Sequence, residues 1–230
     1  MTLVLLPGLD GTGLLFGPLL AALAPDIRAK VVAYPTSEAL ALPELAALVA
    51  RQLPAEGTVL LAESFSGLVA LTLLMHAPAR VRGVIFVGAF AEPPRPFLLR
   101  LTPLASRSAA LMRSAPAFLL RQYCLGKEAS ASDLRTLRAA IAAVTPEILG
   151  HRLRLVAARH SFAKLPNDLP AYYIRASEDR LVPSSCSNWF QHRFRRCQIV
   201  EAEGPHFLLQ ARPKESAKMI QKMVEALNVA

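Results

Sequence analysis

The strongest constraint on the fold is the stretch Thr58-Val59-Leu60-Leu61-Ala62-Glu63-Ser64-Phe65-Ser66-Gly67-Leu68-Val69-Ala70-Leu71-Thr72-Leu73-Leu74-Met75. A short apolar run of strand length ends in small and polar residues, and an almost wholly apolar segment of helix length follows at once. A strand that is apolar on both sides needs cover on both faces, and a helix that is apolar all round must itself be buried. The turn between them has to be very sharp. A serine there sits at the C-terminal edge of the strand, facing the N–H groups of the new helix, an environment that favours developing negative charge. Ser64 is therefore either a nucleophile presented on a strand–turn–helix joint or the N-cap of an ordinary one.

The neighbouring stretches repeat the alternation. Thr2–Leu6 is a continuous apolar strand candidate, ended by Pro7-Gly8-Leu9-Asp10-Gly11-Thr12-Gly13, whose three glycines permit a tight turn and close backbone approach to a ligand. A helix is expected over about 14–23, a strand over Lys30–Tyr34 and a helix over Pro43–Leu53, with Pro43 at an early position where its missing N–H costs nothing. Val84–Ala89 is a fourth strand. The order β-α-β-α-β-α-β predicts a parallel sheet with right-handed crossovers and helices on both faces. Residues 92–170 break the rhythm with Pro93, Pro94 and Pro96 and then helical patterns around Phe97–Arg113, Ala117–Leu125, Ser132–Val144 and Pro146–Ala158. This interval is too long for a simple connection and reads as a helical insertion over the sheet's C-terminal edge, a lid. The sheet resumes with Ala171–Ala176, a helix over Ser184–His192, Cys197–Glu201 and a last helix from Pro213 that keeps Ile220, Met223, Val224 and Leu227 on one face. The domain expectation is a core of 1–91 and 171–230 with the insertion at 92–170.

Composition narrows the class. At 230 residues and 53% hydrophobic, the chain has material for one well-buried domain. Its apolar runs are too short to cross a membrane, and Met1-Thr2 leads into the first strand without a basic leader, so a cytoplasmic location is expected. The cysteines Cys124, Cys186 and Cys197 are odd in number and read as reduced. A net charge of +9 raises nucleic acid as a partner, but no stretch joins a basic patch to stacking aromatics. No nucleic-acid partner is expected; the arginines read as a solvated surface, with an excess in the middle third that leaves an anionic substrate open. No His/Cys/carboxylate cluster has ligand spacing, so neither a metal nor an organic cofactor is expected.

Ligands of an open parallel sheet bind beyond the carboxyl ends of its strands. Four polar turns leave that edge: residues 8–13, Ser64, Asp179 and His206. A serine needs a base to take its proton, and a histidine is that base when a carboxylate holds its tautomer. Here a resemblance becomes specific: the chain resembles the α/β-hydrolase family over roughly 2–91 and 171–228. Ala62-Glu63-Ser64-Phe65-Ser66-Gly67 is similar to the family's small-x-Ser-x-small elbow, with Ala62 and Ser66 in the places of glycines. Taking Ser66 as the nucleophile puts Leu68 where a small residue is required, which favours Ser64. Asp179-Arg180-Leu181-Val182-Pro183 resembles the family's acid-bearing segment, with Glu178 and Glu92 as rivals. Gly204-Pro205-His206 resembles its histidine loop; His76, His151, His160 and His192 lie in helical or inserted segments. Pro7-Gly8-Leu9-Asp10-Gly11 resembles its oxyanion turn, which by likeness assigns the hole to the backbone N–H groups of Leu9 and Phe65. Asp10 either caps its own turn or contacts substrate.

The resemblance implies an α/β-hydrolase fold that starts at what looks like the family's third strand, with about six strands, all parallel. It also implies a serine hydrolase acting on a small-molecule carboxylic ester or thioester through an acyl-enzyme on Ser64. Acyl transfer, C–C lyase chemistry, cofactor-free peroxidation and a non-catalytic binding role remain alternatives on the same fold. The substrate residues are unknown; Phe97, Leu98, Leu101, Leu104, Phe118 and Leu119 are candidates for an apolar acyl pocket.

Overall fold

The computed structural model describes residues 1–76, 79–94 and 113–229 of the chain. Six strands form a single sheet: β1 (Thr2–Leu6), β2 (Arg28–Val31), β3 (Thr58–Glu63), β4 (Val81–Val87), β5 (Ala171–Ala176) and β6 (Cys197–Ala202), in the order β2-β1-β3-β4-β5-β6. Every neighbouring pair is parallel. The order reverses once, between β1 and β3, which makes the sheet doubly wound with its switch point beside the strand that ends next to Ser64.

The period of two along the central strands explains the layers. Val4 and Leu6 of β1, with Leu60 and Ala62 of β3, face a core built by α2 (Leu42–Gln52), α3 (Ser66–Leu74) and α7 (Cys186–Arg193). Leu3, Leu5, Val59 and Leu61 face the opposite core, built by α1 (Gly17–Ala22), α8 (Leu208–Ala211) and α9 (Pro213–Val229). Both faces are buried along β1 and β3, as continuous apolar runs require. The edge strand β2 is charged and exposed: Arg28 pairs with Glu56 and Lys30 Nζ donates to Gln52 O, which blunts an open edge.

Between β4 and β5 lie α4 (Ala117–Leu120), running on as a π turn over Arg121–Leu125, then α5 (Ala131–Ala142) and α6 (Pro146–Ala157). Ser130 caps α5 reciprocally with Asp133, and Pro146 opens α6 behind Thr145, whose Oγ1 accepts the Ile148 N–H. Leu134, Leu137, Ile141, Ile148 and Leu149 gather with Leu15 into a third apolar cluster at the C-terminal end of the sheet. The expected helix over Phe97–Arg113, and with it Phe97, Leu98, Leu101 and Leu104, lies outside the described residues apart from Arg113. Phe118 and Leu119 are exposed rather than turned inward. Among the described residues no helix is long and apolar enough to cross a membrane, and none of the three cysteines is in a disulfide.

Two expected strands and one alternative, Ser64 as an N-cap, need correction; the fourth strand is Val81–Val87, not Val84–Ala89. The second strand is Arg28–Val31, not Lys30–Tyr34. Val32 N–H still donates to Leu5 O, but Tyr34 N–H turns to Gly11 O, so the chain leaves the ladder to brace the turn after β1. Ser64 does not cap a helix: α3 starts at Ser66, and Phe65 precedes it without any side-chain cap.

Candidate active site

The strand–turn–helix joint leaves Ser64 with φ 50°, the one non-glycine residue with positive φ among those described. A side chain in this region is strained, at a cost of about 1–3 kcal/mol, and such strain persists only where the surroundings enforce it. They do so here. Ser64 N–H donates to Val87 O, Ser64 O accepts from Gly67 N–H, and Ala62 and Phe65 are wholly buried on either side. Gly67 lets α3 approach β4 closely: a methyl group there would lie 2.8 Å from Ala89 Cβ and 3.3 Å from the Phe90 backbone. Ser66 also has a task of its own. Its hydroxyl donates to Pro7 O, and Tyr34 OH donates to Ser66 Oγ at 2.5 Å, tying the elbow to the turn after β1. Burial pushes the Tyr34 hydroxyl above its ordinary pKa, which keeps it a donor.

Three of the residues singled out in the sequence meet at this end of the sheet. His206 Nε2 lies 3.0 Å from Ser64 Oγ, and His206 Nδ1 lies 2.7 Å from Asp179 Oδ2. With Nδ1–H donating to Asp179, Nε2 is left to accept from the Ser64 hydroxyl. Asp179 is itself held: its Oδ1 accepts the N–H groups of Leu181 and Val182, at 2.8 and 2.7 Å. The side chains of His206 and Asp179 are 6% and 5% exposed, so their contact is largely shielded from water. Gly88, with φ +52°, lets the end of β4 pass beneath this pair; a methyl group there would come within 3.3 Å of Asp179 Oδ2. Phe207 stacks edge-on against the His206 ring at 5.4 Å, and its N–H donates to Cys124 O. The rival acids Glu178 and Glu92 are both exposed.

The turn after β1 closes through Gly11 N–H donating to Gly8 O at 3.0 Å. Outside the helices and strands of the described residues, neither Leu9 N–H nor Phe65 N–H donates to a backbone carbonyl. Asp10 caps its own turn, its Oδ2 accepting from Thr12 N–H and Thr12 Oγ1. Its Oδ1 faces Gly8, where a methyl group would sit 3.9 Å from it and 4.0 Å from both Glu63 Oε2 and Ser64 Cβ.

Sequence reasoning missed several members of the site. Glu63, 3% exposed, accepts from Gln210 Nε2 at 3.1 Å. Burial raises its pKa to about 7; the Gln210 hydrogen bond opposes this, the Asp10 charge adds to it, and His206 opposes it. Arg152, on α6, is 2% exposed and reaches the carbonyls of the turn after β1. Cys124 lines the site, but burial, with the charge of Asp179, pushes its thiol up to about 12, so it is no thiolate nucleophile near neutrality.

Above Ser64 opens a cavity of about 370 Å³. Its walls are mostly apolar, among them Leu15, Phe90, Leu137, Ile141, Leu149 and Val156, with Ser64, His206, Asp10 and Glu63 at one end. Among its described lining residues there is no lysine or arginine. No group of His, Cys, Asp and Glu among the described residues is arranged to hold a metal.

The chain is similar over nearly its whole length to several solved structures. An esterase from Exiguobacterium antarcticum superposes with a TM-score of 0.81 at 12% identity, covering 98% of this chain and 92% of that one. A bromoperoxidase from Bacillus anthracis gives 0.79 at 15%, covering 97% and 91%. A thermophilic esterase from Thermogutta terrifontis gives 0.75 at 16%, covering 99% and 90%. No curated protein matches. The model of the alpha/beta hydrolase family matches residues 3–219, and the chain belongs to that family.

Proposed function

We propose that the protein is a serine hydrolase that cleaves a carboxylic ester or thioester with an uncharged, apolar acyl group. The observation that carries this reading is the unbroken hydrogen-bonded line from Ser64 Oγ to His206 Nε2 (3.0 Å) and from His206 Nδ1 to Asp179 Oδ2 (2.7 Å), at the foot of the apolar cavity. Ser64 Oγ attacks the acyl carbon as its proton passes to His206 Nε2, and the carbonyl electron pair moves onto oxygen. Leu9 and Phe65 N–H groups receive that oxyanion; such donors are worth about 3–4 kcal/mol each. Asp179 stabilises the imidazolium without taking its proton. The intermediate collapses, the C–O or C–S bond breaks, and His206 delivers the proton to the departing alkoxide or thiolate. Water then repeats the sequence on the acyl-Ser64 ester and releases the acid. The helices between β4 and β5 act as the lid that forms the far wall of the acyl cavity.

A panel of p-nitrophenyl esters of increasing chain length tests this. The wild-type protein turns over apolar acyl chains, and Ser64→Ala loses at least about 10³-fold in kcat. Retained turnover in Ser64→Ala removes the assignment. A second reading, cofactor-free haloperoxidation, rests on the likeness to the Bacillus anthracis bromoperoxidase. Bromination of monochlorodimedone by bromide and hydrogen peroxide, in the absence of ester turnover, selects it instead.

A further inference from the structure

Arg152 is a buried cation that the reaction above does not use. It stands on α6, 2% exposed, and its guanidinium spends its bonds on backbone carbonyls. Nη1 donates to Leu9 O at 2.9 Å and to Asp10 O at 2.6 Å, and Nη2 donates to Pro35 O at 2.8 Å. The group lies 5.7 Å from the centre of the Tyr34 ring. Gly11, with φ +69°, makes room for it: a methyl group on residue 11 would come within 2.4 Å of Nη1. Burying a charge is costly unless its hydrogen bonds are met, and burial does lower the pKa of this arginine. A cation kept in such a place needs a reason beyond filling space.

The reason lies in what those carbonyls belong to. In a trans peptide the N–H points opposite to the C=O. Gly8 O accepts from Gly11 N–H inside the turn, so Leu9 N–H, in the same peptide plane, points outward. The next two planes, which carry Leu9 O and Asp10 O, are held by one guanidinium nitrogen, Nη1. With planes fixed on both sides of Leu9, its N–H has one direction. The same cation sets a positive charge behind a turn that also carries the Asp10 carboxylate. Moreover α6, which delivers Arg152, supplies Leu149, Leu153 and Val156 to the wall of the acyl cavity.

We propose that Arg152 is a positioning residue that holds the oxyanion turn in its working geometry from the helix that also contacts the acyl chain. It acts through Leu9 and touches no reacting atom. The inference rests on the hydrolase reading of the site. It makes the hole and the acyl cavity depend on one support: a chain that packs against α6 steadies the arginine, and through it Leu9 N–H. Lysine cannot replace it, because a single ammonium lacks the planar fork that reaches Leu9, Asp10 and Pro35 together.

The test compares Arg152→Ala and Arg152→Lys with a matched control. Arg193 also caps three carbonyls, those of Phe162 (3.3 Å), Ala163 (2.8 Å) and Leu165 (3.1 Å), and it is not part of the cavity wall. Three quantities are measured: kcat and KM on an apolar p-nitrophenyl ester, affinity for an alkyl trifluoromethyl ketone, and melting temperature. The ketone adds Ser64 Oγ and places a full oxyanion in the hole. Arg152→Ala is expected to lose about 10- to 100-fold in kcat and a similar factor in ketone affinity, with KM changed by less than about 3-fold. Millimolar guanidinium restores part of both. Arg152→Lys shows the same loss of kcat, and Arg193→Ala lowers the melting temperature without touching kcat or ketone affinity. Should Arg152→Ala fail to fold, Arg152→Lys decides alone. Wild-type kcat and ketone affinity in a folded Arg152 variant overturn the proposal, as does an equal loss in Arg193→Ala. Ser64→Ala, run beside them, separates the two failures: if it stays active the hydrolase reading falls, and if it is dead while Arg152→Ala is not, only the positioning role falls.

Discussion

Glu63→Gln isolates the most unusual charge in the site. Glu63 ends β3, is 3% exposed and accepts one hydrogen bond from Gln210. Burial raises its pKa from 4.5 to about 7, against the Gln210 bond and His206 and with the help of the Asp10 charge. In the unfolded chain the carboxyl ionises near its ordinary value, so between these two limits the folded protein holds one proton more than the unfolded one. Stability therefore falls as pH rises through that window. The contribution is fully present below about pH 4.5 and is lost above about pH 7. At about 1.4 kcal/mol per pH interval of one, the loss amounts to about 3 kcal/mol. Glutamine keeps an acceptor for Gln210 Nε2 and does not titrate. The stability of Glu63→Gln relative to wild type is thus expected to rise by about 3 kcal/mol between acid and mildly alkaline pH, read from urea unfolding midpoints across the window. Taking the difference cancels the titration of every group that does not interact with Glu63. A difference that stays flat, or that falls with pH, refutes the reasoning.

Ser66→Ala leaves Pro7 O and Tyr34 OH buried without their partner and is expected to cost about 1–3 kcal/mol in chemical denaturation. Adding Tyr34→Phe recovers part of that loss, and additive effects in the double-mutant cycle contradict the network. Gly67→Val forces α3 away from Ala89 and Phe90 and is expected to destabilise by about 1–3 kcal/mol, with activity falling as the elbow shifts. Leu149→Trp fills the cavity beside Ser64, so the ratio of kcat/KM for long over short acyl esters falls by at least about 10-fold; an unchanged ratio removes Leu149 from the acyl wall.

The parts of this protein that could be read from the chain are those whose meaning is local. The strand spans Thr2–Leu6 and Ala171–Ala176 were legible to the residue, because mostly apolar runs ended by Pro7 and by Ser177-Glu178-Asp179 leave little choice of bounds. The turn at Asp10 was legible for the same reason, since its partner Thr12 is two residues away. Ser64, His206 and Asp179 could be singled out because each follows a strand at one end of a parallel sheet, and the structure brings them together. Arg152 had no such signature. In an arginine-rich chain it reads as one more solvated cation, and its partners Leu9, Asp10 and Pro35 lie more than a hundred residues away. Glu63 was hidden likewise by dependence on Gln210, in a short helix that the apolar pattern does not announce. The error at the second strand has a related cause. Val32 and Tyr34 are buried as strand residues would be, in the core shared with α2 and α3, but only Val32 N–H keeps a bond to β1, while Tyr34 N–H turns to Gly11 O.

In the proposed reaction, acyl transfer to Ser64 is the first chemical step. Rapid acid quench of the protein with an excess of a p-nitrophenyl ester, followed by peptide mass mapping, measures this directly. The acyl mass is expected on the peptide that contains Ser64, formed in a burst with p-nitrophenol release and absent in Ser64→Ala. Turnover with the acyl group on another residue, such as Cys124, or the same turnover in Ser64→Ala, contradicts it.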